Sequence, residues 1–238
     1  MHRPIARGFA RGGRARAYAT HWLPQSARTW LDGVEHAAFA RALTDAMKKI
    51  PQLSGREESI AQSISARASE ILEAETADGS FTRDAVETTH AKTAARACAV
   101  YECTRPYLGN DDATMDLIRT HAGAERTAQT MNGGLVRGAL MLSRDPIATI
   151  ASMVGNVTND LAPGAWRRED GEFVTSTCTY REFFKKRDME FLTATTCCSL
   201  DVDVWFSGLD AKSATVTLES SMARGDPECR ISVRAGEK

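Results

Sequence analysis

FVTSTCTY, the segment from Phe173 to Tyr180, marks the point at which the residue pattern of this 238-residue chain changes. Upstream, from residue 33 to about residue 161, apolar side chains recur with the period of an α-helix. Within FVTSTCTY the side chains alternate, which predicts a β-strand with Cys178 on the same face as Val174. The change of period predicts an α+β protein with a helical N-terminal half and a C-terminal antiparallel β-unit.

The β-unit is predicted to end in an antiparallel hairpin. Residues 214–219 alternate between apolar and polar side chains, and the segment 224–227 has the composition of a turn. The returning strand has its apolar face at Cys229, Ile231 and Val233.

Cap and breaker residues predict where the helices begin and end. Ser54 and Glu57 have the spacing of a capping box, in which each side chain binds the backbone amide of the other residue. Proline removes a backbone hydrogen bond inside a helix, so Pro51 is predicted to end one helix, and Pro106 with Gly109 is predicted to end another. The other predictions are N-caps at Asn110 and Asp145, a helix over 124–142, and short helical turns over 181–187 and 198–206.

The composition is that of an ordinary globular protein. Hydrophobic residues make up 42% of the chain and charged residues 26%, which excludes a disordered or fibrous chain. No apolar run approaches the ~20 residues that span a bilayer, so no transmembrane helix is predicted.

The N-terminus predicts targeting to mitochondria. Residues 1–31 contain arginines but no acidic side chain, and Arg16-Ala17-Tyr18 before Ala19 matches a mitochondrial processing pattern. The alternative is a basic arm that binds nucleic acid or acidic lipid. The predicted organisation is a presequence over 1–18, a linker over 19–34, and a single α+β domain over 35–238 with a helical part (35–162) and a β-rich part (163–238).

Removal of residues 1–18 takes away five arginines, so the net charge changes from −1 to −1 − 5 = −6. Phosphate binding relies on a basic surface, so no nucleic-acid partner is predicted for the mature chain. The predicted location is the mitochondrial matrix or the matrix side of the inner membrane. This compartment is reducing, so the six cysteines are interpreted as thiols or metal ligands and not as a disulfide framework.

Cys198 and Asp201 are the leading catalytic candidates. A helix N-terminus stabilises a thiolate, and Cys198 is predicted at such a position. Asp201 would lie one turn later, where a carboxylate can act as a general acid or base. The alternative for Cys198 and Asp201 is the start of a helix, where the helix dipole favours an acidic residue. The alternative for Cys178 and Cys229 is burial as small apolar side chains.

Common catalytic motifs are absent from the sequence. It contains neither a glycine-rich phosphate loop, nor the histidine pair of zinc proteases, nor a Gly-x-Ser-x-Gly elbow. The five histidines, among them His90, lie far in sequence from the cysteine-rich unit and are interpreted as surface or core residues.

The last third of the chain resembles the L-2-amino-thiazoline-4-carboxylate hydrolase family. The resemblance rests on the order of three elements: Cys178 with Tyr180, then Cys198-x-x-Asp201, then Gly225-Asp226-x-x-Cys229. It implies ring opening at the carbon between nitrogen and sulfur, giving N-carbamoyl-L-cysteine, by a hydrolase that needs no cofactor. The implied residues are Cys198 and Asp201 for catalysis, and Cys178, Tyr180, Glu219 and Cys229 for substrate binding. The chain departs from the family at Ile231, where an aromatic residue is usual.

The hairpin also resembles the 4-vinyl-reductase-type ligand-binding domains of phenol-sensing regulators. That resemblance implies a structural zinc ion, with ligand positions at Cys197 or Cys198, Glu219, Met222 and Cys229. A thioether is a poor zinc ligand, and strand alternation puts Glu219 and Met222 on opposite faces unless a bulge intervenes. No metal is therefore predicted, and a zinc-stabilised binding domain is kept as an alternative.

The leading hypothesis is a mitochondrial hydrolase-like protein that opens a small cyclic amidine or thiazoline. The alternative is a non-catalytic ligand-binding or accessory subunit of a larger mitochondrial complex. Both hypotheses predict a small-molecule substrate or ligand, no nucleic-acid partner and no transmembrane segment.

Overall fold

The structure, a computed structural model, describes residues 40–82, 85–119, 143–161, 165–196 and 214–236. Helices occupy the first part of the described chain, and a four-stranded antiparallel sheet occupies its C-terminal part, which confirms the predicted α+β class. The predicted presequence, the linker and the helical segments over 124–142 and 198–206 lie outside the described residues.

Four helices lie in the described chain before residue 120. They are α1 over 40–48, α2 (Glu57–Thr76), α3 (Ala85–Leu108) and α4 over 111–119. None of the helices in the described ranges is long and apolar enough to cross a membrane. α2 buries isoleucines spaced along one face, and α3 turns a row of small side chains toward the same core. The small residues of α3 in this core are Ala91, Ala94, Ala95, Ala97, Cys98 and Ala99.

Four strands form one sheet, and in chain order they are β1 (Arg167–Glu169), β2 (Glu172–Thr175), β3 (Ala214–Ser220) and β4 (Cys229–Ala235). Their spatial order is β1-β2-β4-β3, and all neighbours are antiparallel. The predicted hairpin is confirmed as the pairing of β3 with β4. One face of the sheet is apolar because the alternating side chains of β3 and β4 point to it.

Helix α5 (Pro146–Leu161) covers the apolar face of the sheet. Its buried Ile150 and Val154 belong to the same apolar cluster as Phe173 and Ile231 of the sheet. Gly155 permits the close approach, because a Cβ atom there would lie 3.1 Å from Cε1 of the Phe173 ring. The helix and the sheet are therefore in contact at a point where a larger residue would push them apart.

Helix α6 (Thr179–Lys185) follows β2 in sequence but packs into the core of α1 to α4. Its buried side chains are Tyr180, Phe183 and Phe184, and the Phe183 ring lies 5.2 Å from the Phe81 ring between centroids. Full burial of one phenylalanine contributes about 1.5 to 3 kcal/mol. The helical core is thus completed by a helix from the β-rich part of the sequence, whereas α5 of the helical part covers the sheet.

Two of the predicted helix boundaries are confirmed. The Asn110 side chain accepts a hydrogen bond from the Ala113 amide at 2.8 Å, and the Asp145 side chain accepts one from the Ala148 amide at 3.0 Å. Both residues therefore cap the helices that follow them.

The predicted capping box at Ser54 is wrong. Helix α2 begins only at Glu57, after Arg56, so Glu57 stands too early in the helix to reach back to Ser54. Ser54 instead donates its backbone amide to the carbonyl oxygen of Ile50 in a turn. The predicted end of α3 at Gly109 is confirmed, because the helix continues to Leu108 and φ at Gly109 is +73°, but Pro106 lies within the helix and does not end it.

The predicted strand through Cys178 is also wrong, because β2 ends at Thr175. The Thr175 hydroxyl accepts a hydrogen bond from the Thr177 amide at 3.2 Å, and such local bonding competes with strand pairing. Cys178 consequently becomes the residue that precedes α6, and Tyr180 lies inside that helix.

Candidate functional site

Three of the predicted site residues lie on or next to the end of β2 and the start of α6. Thr175, the last residue of β2, is paired with Cys229, the first residue of β4. Three residues after Thr175 the chain enters α6 through Cys178, whose backbone is extended at φ −145° and ψ 114°. Cys178 and Cys229 therefore lie near the same end of β2, and Tyr180 lies in the first turn of α6.

Tyr180 links this region to α3. Its hydroxyl oxygen lies 2.9 Å from Nδ1 of His90, and the two ring centroids are 5.0 Å apart. Both side chains are buried, with 7% of Tyr180 and 8% of His90 exposed. A neutral imidazole can accept the tyrosine proton and an imidazolium can donate to the tyrosine oxygen, so the pair can hold or pass a proton.

Glu87 adds a carboxyl group to the same stretch of α3. It is 6% exposed and stands three residues before His90, so the two side chains lie on neighbouring positions of one helix face. Acidic residues are seldom buried this deeply unless they have partners. The described part of the site thus combines a carboxyl, an imidazole, a phenol and a thiol.

The chain that follows α6 turns back toward the start of that helix. An ion pair between Arg181 and Glu190 fixes the return. Residues 194–196 then form a turn of π-helix, a conformation that is rare and frequently found at functional sites. The Thr193 hydroxyl is buried and has no hydrogen-bond partner among the described atoms. This segment leads directly into Cys197 and Cys198, which lie outside the described residues, as does Asp201.

Glu219 is separated from the other site residues. Its carboxylate accepts a hydrogen bond from the Ser232 hydroxyl at 2.6 Å and pairs with Arg234 at 2.7 Å. Ser232 is three residues from Cys229 along β4, so their side chains point to opposite faces of the sheet. The bulge between residues 218 and 220 does not bring Glu219 to the face of Cys229.

The positions implied for zinc ligands do not converge either. Cys229 Sγ accepts a hydrogen bond from the Met222 backbone amide at 3.4 Å, and the Met222 side chain is buried. Glu219 lies on the other face, in the ion pair with Arg234. Across the described ranges, no three residues of the types His, Cys, Asp and Glu are grouped closely enough to hold a metal ion.

The four described cysteines differ in their surroundings. Burial raises the pKa of the Cys98 thiol to about 12, although the neighbouring Arg187 acts in the opposite direction. Cys178 and Cys229 are only partly buried. A thiol must lose its proton to act as a nucleophile, so Cys98 is suited to packing and not to catalysis.

Arg187, just after α6, fixes that helix against α2 and α3. Its guanidinium group binds Glu75 at 3.0 Å and Glu102 at 2.7 Å. These side chains are largely buried, with 17% of Arg187, 14% of Glu75 and 22% of Glu102 exposed. Arg67 of α2 also pairs with Glu102. The position of Tyr180 relative to His90 therefore depends on an ionic cluster at the opposite end of α6.

The ionic cluster predicts a loss of stability in acid. Burial acts to raise the pKa of Glu102, but hydrogen bonds from Arg67 and Arg187 outweigh it and leave the pKa below its ordinary value of 4.5. A carboxyl whose pKa is lowered by folding stabilises the protein above that ordinary value and loses this effect as pH falls through the lowered pKa. We expect the urea midpoint to fall as the pH is lowered from 4.5 through that range.

The control for this prediction is Glu102→Gln, which cannot ionise. Its urea midpoint should be lower than that of the wild type at neutral pH and should change less in acid. An identical acid dependence in the two proteins would contradict the role of Glu102.

Comparisons with protein-family models, curated proteins and solved structures found no match to this chain. Function must therefore be inferred from the chemistry of the site itself.

His90 is the residue that the sequence patterns missed. Its distance in sequence from the cysteine-rich unit suggested a surface or core histidine, and it is indeed buried. The helical period offered a signal, because His90 stands four residues before Ala94 and seven before Ala97 on the buried face of α3. That spacing places a polar ring in the core, but it does not identify Tyr180 as its partner.

Proposed function

We propose that this chain is a mitochondrial hydrolase-like protein that opens the ring of a small cyclic amidine or thiazoline. The observation that supports it is that Cys178 and Cys229 lie near the same end of β2, with Tyr180 in the first turn of α6. Cys178 and Cys229 supply thiols, and Tyr180 supplies a group that can transfer a proton. Addition to an electrophilic carbon requires a nucleophile and such a group.

The reaction adds one water molecule to the substrate. Attack at the carbon between nitrogen and sulfur breaks the carbon–sulfur bond and leaves a carbamoyl group on nitrogen and a thiol on the former ring sulfur. Cys198 would attack this carbon directly, and water would then cleave the bond to Cys198; otherwise Asp201 would activate the water that attacks the carbon. Cys178 and Cys229 would line the substrate site, whereas Glu219, on the other face of the sheet, would not contact the same ligand.

The proposed location is the mitochondrial matrix or the matrix side of the inner membrane. It rests on the arginine-rich, acid-free N-terminal segment and on the processing pattern at Arg16 to Thr20.

The test is a ring-opening assay on the purified chain. We expect 2-amino-thiazoline-4-carboxylate to yield one equivalent each of thiol and N-carbamoyl product. A thiazolidine of the same size should not react, because it lacks the electrophilic carbon between nitrogen and sulfur. The absence of ring opening with every cyclic amidine and thiazoline offered would contradict the proposed function.

One observation favours the non-catalytic alternative of an accessory subunit. Phe191 is 48% exposed, and its ring packs edge-on against Tyr101 with 5.0 Å between centroids. Exposed aromatic side chains are enriched in protein interfaces. Native fractionation of mitochondria distinguishes the two functions, because an accessory subunit would comigrate with a large complex and lack ring-opening activity.

A further inference from the structure

We propose that Tyr180 donates the proton that the leaving sulfur requires, and that His90 acts through Tyr180 as the positioning residue of this proton donor. The inference rests on the proposed hydrolase function. It assigns the proton-transfer step of that function to two buried residues that come from distant parts of the chain.

The geometry of the pair is suited to proton transfer. Tyr180 Oη and His90 Nδ1 are 2.9 Å apart, which is hydrogen-bond distance. The rings are inclined at 59° with their centroids 5.0 Å apart, so the contact fixes the orientation of the phenol as well as its position. Because both side chains are buried, their hydrogen bond lies in a region of low dielectric constant, where it is stronger than in water.

Tyr180 also lies beside the groups that would contact a substrate. It stands two residues after Cys178, which is partly exposed at the start of α6.

The proton balance of ring opening explains why such a pair is needed. Of the two protons of the attacking water, one ends on the ring nitrogen and the other on the sulfur. As the carbon–sulfur bond breaks, its electron pair goes to sulfur, which takes a proton from the Tyr180 hydroxyl. The tyrosinate then recovers a proton that originates from the water, and His90 stabilises it through the Nδ1 contact. No proton is gained or lost by the protein over the cycle.

Other titratable side chains must be considered in any test of pH dependence. They include Glu87, buried three residues before His90 on α3, and Cys178, which precedes α6. To assign the pH dependence of activity to Tyr180 therefore requires a substitution that changes the acidity of the Tyr180 phenol and of no other group.

The first test compares Tyr180→Phe and His90→Gln with the wild type. General acid catalysis contributes about 100-fold or more, so Tyr180→Phe should lower kcat by at least that factor and leave KM within about threefold. His90→Gln should lower kcat less than Tyr180→Phe does, because the phenol remains. It should also narrow the pH range of activity. Tyr101→Phe is the matched control, since its hydroxyl binds Asp111 at 2.8 Å on an exposed surface.

A second test keeps the fold intact. The chain contains four tyrosines, so phenylalanine at positions 18, 101 and 107 leaves Tyr180 as the one site for incorporation of 3-fluorotyrosine. Fluorotyrosine is nearly the same size as tyrosine but is a stronger acid, so the alkaline limit of kcat should move to lower pH. An unchanged alkaline limit, or a Tyr180→Phe protein with kcat within about fivefold of the wild type, would overturn the inference.

The two proposals fail in different ways. If the wild-type chain opens the ring and the Tyr180→Phe chain opens it equally well, the role of Tyr180 is refuted and the hydrolase function stands. A wild-type chain that opens no ring would refute the hydrolase function, and the assigned role of Tyr180 with it.

Discussion

Cys198→Ala is expected to reduce ring opening by at least about 1,000-fold, because removal of an attacking group leaves only the contribution of binding and proton transfer. Asp201→Asn should reduce it by about 100-fold or more, since the amide keeps the shape of the carboxylate but cannot accept a proton. The measurement is the rate of thiol release from 2-amino-thiazoline-4-carboxylate under saturating substrate. Both variants should unfold at the same temperature as the wild type, within a few degrees.

Matched controls separate catalysis from a general effect of the substitutions. Cys103→Ala removes a partly buried thiol of α3, and Asp116→Asn removes an exposed carboxylate that pairs with Arg119 on α4. Neither should change the rate by more than about twofold. Full activity of either Cys198→Ala or Asp201→Asn would show that the proposed catalytic pair is mistaken.

Arg187→Met is expected to lower the free energy of unfolding by about 3 kcal/mol, the lower end of the cost of breaking a buried ion pair. The lower end applies because Glu75 and Glu102, which would lose their common partner, are 14% and 22% exposed. A loss of this size corresponds to a fall of about 6 to 12 °C in Tm for a domain of this length. Urea unfolding followed by circular dichroism measures it.

Two further variants identify the cause of that loss. Arg119→Met breaks the exposed pair with Asp116 and should cost less than about 1 kcal/mol, because solvent screens that pair. Combining Arg187→Met with Glu75→Gln and Glu102→Gln should recover part of the stability, since the two side chains then no longer carry the charges that Arg187 compensated. If Arg187→Met is as stable as Arg119→Met, the cluster does not anchor α6.

Local chemistry explains which parts of the fold could be predicted from the sequence. Asn110 and Asp145 cap the following helices within three residues, so their role depends on neighbours in the chain. The β3–β4 hairpin is likewise a local pairing with a clear alternation of side chains. The capping box at Ser54 failed although its spacing was right, because the turn before Arg56 binds the Ser54 amide to Ile50 and delays the start of α2.

The site could be predicted only in part, because its contacts join distant segments. The alternation of FVTSTCTY is that of a strand, but the hydroxyl of Thr175 binds the Thr177 amide and the chain leaves the sheet before Cys178. The pairing of His90 with Tyr180 spans 90 residues, and no local pattern encodes such a contact. Glu219 and Cys229 lie on opposite faces of the sheet because of the alternation of side chains around the bulge between residues 218 and 220. The position of that bulge cannot be read from the sequence pattern.

The placement of α6 also has a consequence for the order of folding. The contacts of α6 and of the following Arg187 with α2 and α3 join residues up to 112 positions apart, so a growing chain cannot complete its helical core until residue 187 has emerged. Until then α3 would keep an uncovered apolar groove where Phe183 and Phe184 later pack. A chain cut short before Thr179 should consequently be a substrate for chaperones and proteases, even though most of its helices are already encoded.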